Sequence, residues 1–321
     1  MNKLQRIERS AGMNVALISL SVWFVATFFG TAGCSSEVEE RISPAVRLAP
    51  APLPQKNSDE PLRFAIGSMI SPAATYNIYE DILRHVAQEA GRSFSFVQRR
   101  SYQETNDLLV SGQIDLAFIC SGAFASLPQD ASVELLAVPV VHGAPTYYSF
   151  IIARSESDIT QLTDLKDKSF AFTDPLSNTG YFYPLARLGD IGTTPAAFFS
   201  DTILTGSHDR SITAVYRKLA DAAAVDSLVY EHLVIPGSRY FGELKVIESS
   251  PGFPIPPFVS PTSVAPELRR SFRQSLLQLH TSPEGRELLK AIEVERFVDG
   301  DPSSYKLIEA YADRAQRALK Q

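Results

Sequence analysis

From Leu62 onward, short apolar runs alternate with stretches whose apolar residues recur at helical spacing, and this alternation limits the fold more than any other feature. Leu62-Arg-Phe-Ala-Ile66 reads as a strand closed by Gly67. Tyr79, Ile82, Leu83, Val86, Ala87 and Ala90 share one helical face, and Gly91 ends the helix. Phe94-Ser-Phe-Val97 alternates as a strand does, Tyr102 to Ser111 is helical up to Gly112, and Leu116-Ala-Phe-Ile119 is apolar on both faces. The series resumes with strands at Tyr147–Ala153, Ser169–Phe172, Thr202–Leu204, Ala222–Val225 and Leu244–Ile247. Helices are expected between them at about 180–188, at Ser211–Leu219 and at Ser227–Leu233. After the proline-rich stretch Pro251–Pro257 the chain reads as helical from Pro266 to Leu319. Such a pattern predicts an α/β fold with mainly parallel sheets flanked by helices. The length exceeds what one core usually serves, so two lobes are expected, 62–147 with 252–321 and 148–251. A ligand cleft would lie between them, outside the carboxyl ends of the strands.

The first residues speak to compartment. Lys3, Arg6 and Arg9 precede an apolar run from Val15 to Phe29, followed by Thr31-Ala-Gly33 and Cys34. Basic start, apolar middle and small residues are the order of a secretory signal. Cys34 directly after Ala32-Gly33 resembles a bacterial lipoprotein signal, with Thr31 where such signals usually carry leucine. The expectation is cleavage of 1–33 and lipidation of Cys34, leaving the body in the periplasm and anchored to a membrane. Residues 34–61, rich in Pro, Ala and charge, suit a flexible tether that cannot bury a core.

Composition narrows the function. With 30 Lys and Arg against 36 Asp and Glu, the formal net charge is −6, which provides no general attraction for nucleic acid. Any anion site must therefore be built locally. There are two cysteines, so once Cys34 is lipidated Cys120 is a lone thiol and no disulfide framework exists. No cofactor motif, phosphate-loop lysine or His/Glu metal-binding spacing occurs.

Three segments place polar residues where buried strands end. They are Asp115-Leu-Ala-Phe-Ile-Cys-Ser-Gly122, Phe170-Ala-Phe-Thr-Asp-Pro-Leu-Ser-Asn-Thr-Gly-Tyr181 and Thr205-Gly-Ser-His-Asp-Arg-Ser-Ile212. Ser177, Asn178 and Thr179 offer side-chain donors just before a helix, and free N–H groups at a helix start attract anions without lysine. Ser177, His208 and Asp226 are also the residue types of a nucleophilic triad. However, no Gly-x-Ser-x-Gly elbow surrounds Ser177, so a serine hydrolase is a remote alternative.

An ordered set of pieces carries a resemblance over about residues 62–300. They are Ile70-Ser-Pro, Tyr102, Gly112-Gln-Ile-Asp-Leu-Ala-Phe, Pro145-Thr-Tyr-Tyr-Ser149, Phe172-Thr-Asp-Pro-Leu-Ser-Asn-Thr-Gly180, Gly206-Ser-His-Asp209 and Ala224-Val-Asp-Ser227. The body resembles the phosphate/phosphite/phosphonate-binding proteins of ABC transporters, which have the type 2 periplasmic binding fold. The resemblance implies a monomeric receptor for a small oxyanion that catalyses nothing and delivers its ligand to a transporter permease. It implies that Ser177, Asn178 and Thr179 hold the oxyanion and that His208 donates to it. Tyr102, Ser121 and Tyr147 would line the cleft, with Asp209 and Asp226 reading a protonated oxygen or an ammonium. A buried carboxylate there would reject fully ionised ligands.

At Cys120-Ser-Gly122 the chain also resembles a branch that includes arsenite-binding proteins feeding a sensor kinase. Thiolate suits trivalent arsenic or antimony better than phosphate. An arsenite or oxyanion sensor docking on a kinase, with Cys120 as metalloid ligand, is the alternative. A free cysteine is more often a small buried hydrophobe.

Overall fold

The computed structural model describes residues 60–320 apart from Ser71, so the leader, Cys34 and the tether up to residue 59 lie outside the described residues. The chain begins with β1 (Leu62–Ile66), α1 (Pro72–Glu89), β2 (Phe94–Val97), α2 (Tyr102–Val110), β3 (Leu116–Phe118), α3 (Ser121–Ala125), β4 (Val133–Val140), β5 (Thr146–Tyr147) and β6 (Ser149–Arg154). Next come β7 (Ser169–Phe172), a π-helical turn (Asn178–Phe182), α4 (Tyr183–Asp190), α5 (Pro195–Phe198), β8 (Asp201–Leu204), α6 (His208–Tyr216), β9 (Ala222–Asp226), α7 (Ser227–Leu233) and β10 (Leu244–Ser249). The last elements are β11 (Phe253–Pro254), β12 (Phe258–Pro261), α8 (Pro266–Gln278), α9 (Pro283–Ala291), β13 (Arg296–Val298) and α10 (Lys306–Ala318).

The strands make two main sheets, ordered β13-β4-β12-β3-β1-β2 and β10-β6-β9-β7-β8. Parallel pairing, expected for most of each sheet, holds for β1 with β2 and β3, and for β7 with β8 and β9. The pairings of β4, β12 and β13 in the first sheet, and of β6 with β9 and β10 in the second, are antiparallel. The sheets are therefore mixed, not mainly parallel. A parallel neighbour needs a long crossover, whereas β6 and β12 follow directly on short segments arriving from the other sheet.

Those two segments are β5 and β11, which pair antiparallel through Phe253 with Tyr147 and Pro254 with Thr146. The lobes are thus joined by a hydrogen-bonded ribbon. Tyr305 reinforces it by donating its hydroxyl to the Ile255 carbonyl at 2.6 Å. Helix α10, counted with the first lobe from sequence, packs against α4 and the π-turn as well as against α3. Ile308 and Ala315 of this helix sit in one continuous core with Tyr147, Phe253 and Leu185.

Local sequence explains the pieces around the cleft. Ser101 caps α2 by accepting the Glu104 N–H at 3.2 Å, which relieves one of the unsatisfied donors of a helix start. Strand β9, Ala222-Ala-Ala-Val-Asp226, is buried throughout. Its alanines let α6 and the π-turn approach it closely. Several elements differ from the sequence reading. Strands β4 and β12, both interior to the first sheet, are not among the strands expected from sequence; they carry Pro139 and Pro261, a residue type that argues against an interior strand. The C-terminal stretch is three helices interrupted by β13, not one helical run.

Candidate functional site

Four strand ends point into the interface between the lobes. From the first sheet comes β3, then Cys120 and α3. From the second come β7 with the 173–177 loop, β8 with Gly206 and Ser207, and β9 with Asp226. Ser177 organises its turn by accepting the Gly180 N–H at 3.0 Å, while the Phe182 N–H reaches the Ser177 carbonyl at 3.0 Å. Gly180 is required there, since a Cβ would lie 2.3 Å from Thr173 Oγ1 and 3.1 Å from His208 Cε1. Opposite, Gly122 lets the start of α3 press on the same turn. A Cβ on it would sit 2.3 Å from the Leu176 carbonyl oxygen and 2.5 Å from the Asn178 nitrogen.

Between these backbones lies a buried polar cluster. Ser121 Oγ and Tyr147 Oη share a hydrogen bond, and Asn178 Nδ2 donates to Tyr147 Oη at 3.3 Å. Asp174 accepts the Tyr102 N–H at 3.2 Å and the Leu176 N–H at 2.9 Å, tying α2 to the loop after β7. Ser149 Oγ donates to the Thr179 carbonyl at 2.6 Å. Tyr102 Oη, Asn178 Oδ1 and Thr179 Oγ1 are buried and have no hydrogen-bond partner in the protein. A buried polar atom without a partner costs about 1–3 kcal/mol, so three in one cluster mark where a polar ligand would repay that cost.

His208 is fully buried at the start of α6, and its N–H donates to the Met69 carbonyl of the first lobe at 2.9 Å. Its Nδ1 accepts the Asp226 N–H at 3.1 Å, which leaves the proton on Nε2 to be donated to Ser177 Oγ at 3.4 Å. Burial pushes the imidazole down to about 3, so it stays neutral. In a nucleophilic triad the histidine instead accepts from serine at one nitrogen and donates to a carboxylate from the other. Here Ser177, His208 and Asp226 are linked in the opposite sense, through the backbone N–H of Asp226.

The electrostatics are those of a buried site without lysine or arginine among the described buried residues. Burial raises the Asp226 carboxyl to about 7, although it accepts the Leu228 N–H at 2.8 Å as the cap of α7. Burial raises the Cys120 thiol to about 11, against the lowering pull of the Asn178, Gly122 and Ala123 amides. The phenols of Tyr79, Tyr102 and Tyr147 are raised by burial first and by nearby acidic groups second. An anion entering this cluster would meet N–H and O–H donors together with the acceptors Asn178 Oδ1 and Asp174, and no lysine or arginine among the described buried residues.

Beside the cluster opens a cavity of about 420 Å³. Met69, Phe118 and Phe297 line it from the first lobe and Asp226, Leu228 and Val229 from the second. Two contacts bridge its rim, His142 to Glu231 at 3.3 Å and His232 to Glu293 at 3.2 Å.

Comparison with known proteins decides the family. The model of the family described as "ABC transporter, phosphonate, periplasmic substrate-binding protein" matches residues 64–305. The chain belongs to this family. The phosphate-import protein PhnD of Mycolicibacterium smegmatis is 28% identical over 236 residues, which is 70% of this chain and 71% of that protein. The crystal structure of a binding-protein component of an ABC phosphonate transporter from Pseudomonas aeruginosa is similar with a TM-score of 0.74 and 26% identity. That match covers 81% of this chain and 88% of the other. PhnD1 from Prochlorococcus marinus, solved with methylphosphonate, shares the fold at a TM-score of 0.72 and 15% identity, over 80% of this chain and 98% of its own. The fold is thus the two-lobed one of periplasmic binding proteins.

Within this family fold, Tyr102, Cys120, Ser121, Tyr147, Ser177, Asn178, Thr179 and His208 come together, and Asp226 stands where the cluster meets the cavity. Asp209 is placed differently. It lies in the first turn of α6, part-exposed, with its Oδ1 accepting from Ser207 Oγ at 2.6 Å. Thr173, Asp174 and Ser149 take part in the cluster and were not singled out from sequence. The position of Thr173-Asp174 directly after a buried strand was the available signal.

Proposed function

We propose that the protein is an extracytoplasmic solute-binding lipoprotein that captures a small oxyanion of the phosphonate, phosphite or phosphate class for an ABC transporter. One observation carries the reading. The Ser177-Asn178-Thr179 turn and the start of α3 face each other across a buried seam with the unpartnered hydroxyls of Tyr102 and Thr179 as free donors. The unpartnered Asn178 Oδ1 is an acceptor for a protonated ligand oxygen, and no lysine or arginine stands among the described buried residues. Hydroxyl, amide and backbone donors can hold an anion there without a lysine. The oxyanion would sit between Ser177, Asn178 and Thr179 on one side and Tyr102, Ser121 and Tyr147 on the other, with His208 bracing Ser177. Asp226, raised by burial to about 7 and so about half protonated at neutral pH, would favour a ligand oxygen that still carries a proton or accepts one. The lobes would be 62–147 with 252–321 and 148–251, closing about the β5–β11 ribbon with α10 bridging them. Lipidation of Cys34 would hold a monomeric receptor at the periplasmic face of a membrane, within reach of its permease.

The expected result of a thermal-shift screen is stabilisation by at least one of phosphate, phosphite, methylphosphonate and 2-aminoethylphosphonate. A ligand at a hundred times its Kd adds about 2.7 kcal/mol. Cys120→Ser keeps that shift, because a thiol held near 11 is neutral and packs as a small hydrophobe. Paired Ser177→Ala and Thr179→Val substitutions remove it. Stabilisation by arsenite alone, lost in Cys120→Ser, would replace this reading with the metalloid sensor.

A further inference from the structure

The space beside the polar cluster is far larger than a bare oxyanion needs. At roughly 30 Å³ per water-sized group, 420 Å³ has room for about a dozen such groups, and a methyl substituent would fill one. Its walls are mostly hydrocarbon: Met69, Ile70, Phe118, Val141, Leu228 and Phe297 face it. Most of the charged and imidazole side chains on it already have partners. Asp226 caps α7, and His142 and His232 meet Glu231 and Glu293 across the rim. The cavity is linked to the candidate anion seam through His208, whose Nε2 faces Ser177 Oγ at 3.4 Å, although Ser177, Asn178 and Thr179 do not themselves line it. Met69, on its wall, takes the His208 N–H through its carbonyl, and Asp226, also on its wall, donates its N–H to His208 Nδ1.

We infer that the protein takes an oxyanion bearing an extended apolar substituent, the head on the Ser177–Thr179 turn and the tail in this cavity. This rests on the oxyanion-receptor reading and narrows its substrate class from small phosphonates to amphiphilic ones. Burial of each methylene contributes about 0.8 kcal/mol, which is about fourfold in affinity.

The test is calorimetric titration of the full exported chain with methyl-, butyl- and hexylphosphonate, with hexanesulfonate and methanesulfonate as a second head group and 1-hexanol as a headless control. Affinity is expected to rise at least a hundredfold from the methyl to the hexyl member of a series, with 1-hexanol binding far more weakly. In Leu228→Trp and Ile292→Trp, each folded by circular dichroism and each filling the cavity from a different wall, the hexyl-to-methyl ratio falls below tenfold. A hexyl member no tighter than its methyl homologue overturns the tail site while leaving the receptor reading intact. Hexanol binding as tightly as hexylphosphonate overturns the division into head and tail. No binding by any oxyanion overturns both.

Discussion

Gly122→Ala is expected to weaken oxyanion binding by roughly tenfold to a hundredfold while leaving the unliganded protein folded. The added methyl would stand 2.3 Å from the Leu176 carbonyl oxygen and 2.5 Å from the Asn178 nitrogen. Both are backbone atoms of the loop that carries the candidate anion site, so neither can swing aside as a side chain could. Overpacking of this kind costs about 1–3 kcal/mol, and 1.4 kcal/mol is tenfold in affinity. The cost falls on the form in which α3 and the 177 turn touch, and a form with the lobes apart bears none of it. Apparent affinity then drops by the fraction of molecules still able to close. Gly67→Ala is the control, since its Cβ would find its nearest neighbours at an ordinary 3.6 Å. Titration calorimetry with thermal melts of the free proteins separates the two, and equal affinity in Gly122→Ala and wild type would refute the close-approach argument.

The second large effect is a change in stability with pH. The folded protein holds the Asp226 carboxyl at about 7 because it is buried, whereas an unfolded chain ionises it in the usual carboxylate range. Its folded pKa is raised, so its contribution to stability is complete at acid pH and is lost as pH rises from about 4 through about 7. His208 acts with the opposite sign. Held near 3 by burial, it withholds a proton that the unfolded chain takes up below about 6.5, so its contribution is lost as pH falls. Asp226→Asn keeps an acceptor for the Leu228 N–H and removes only the titration. The variant is expected to melt higher than wild type at pH 8, by the equivalent of several kcal/mol at most, with the gap closing toward pH 4. The difference between the two melting curves isolates Asp226 because His208 is common to both. A gap independent of pH would show that the carboxyl ionises normally in the fold.

Much of the fold was legible because its strands announce their limits. Leu62–Ile66 stops at Gly67, and α2 stops at Ser111-Gly112, where Gly112 takes a positive φ of 67°. Among the strands that escaped notice, β4 and β12 contain Pro139 and Pro261, and the place of β12 inside the first sheet depends on partners more than a hundred residues away in β3 and β4. The candidate anion site was legible for the same reason that the strands were. Its donors lie in one contiguous turn, and the chemistry of Ser177-Asn178-Thr179 does not depend on what folds against it. Asp209 is expected from the resemblance to read a protonated oxygen or an ammonium, yet it follows His208 by one residue of helical rotation and its Oδ1 accepts from Ser207 Oγ. The cavity could not be read, because Met69, Val141, Leu228 and Phe297 meet only after four separate segments have packed.

The pairing of β5 with β11 has a consequence for how the chain acquires its shape. All strands of the second sheet lie within residues 149–249, so that sheet can form from one uninterrupted stretch. The first sheet cannot. Its strand β12 sits between β3 and β4, and it emerges from synthesis only after the whole of the other lobe. Contacts so distant in sequence are slow to form, so β1, β2 and β3 must wait, unsupported on one side, for the chain to come back. A polypeptide that completes half of itself only at the end stays open for longer, because its first sheet is locked only when β12 slots between β3 and β4.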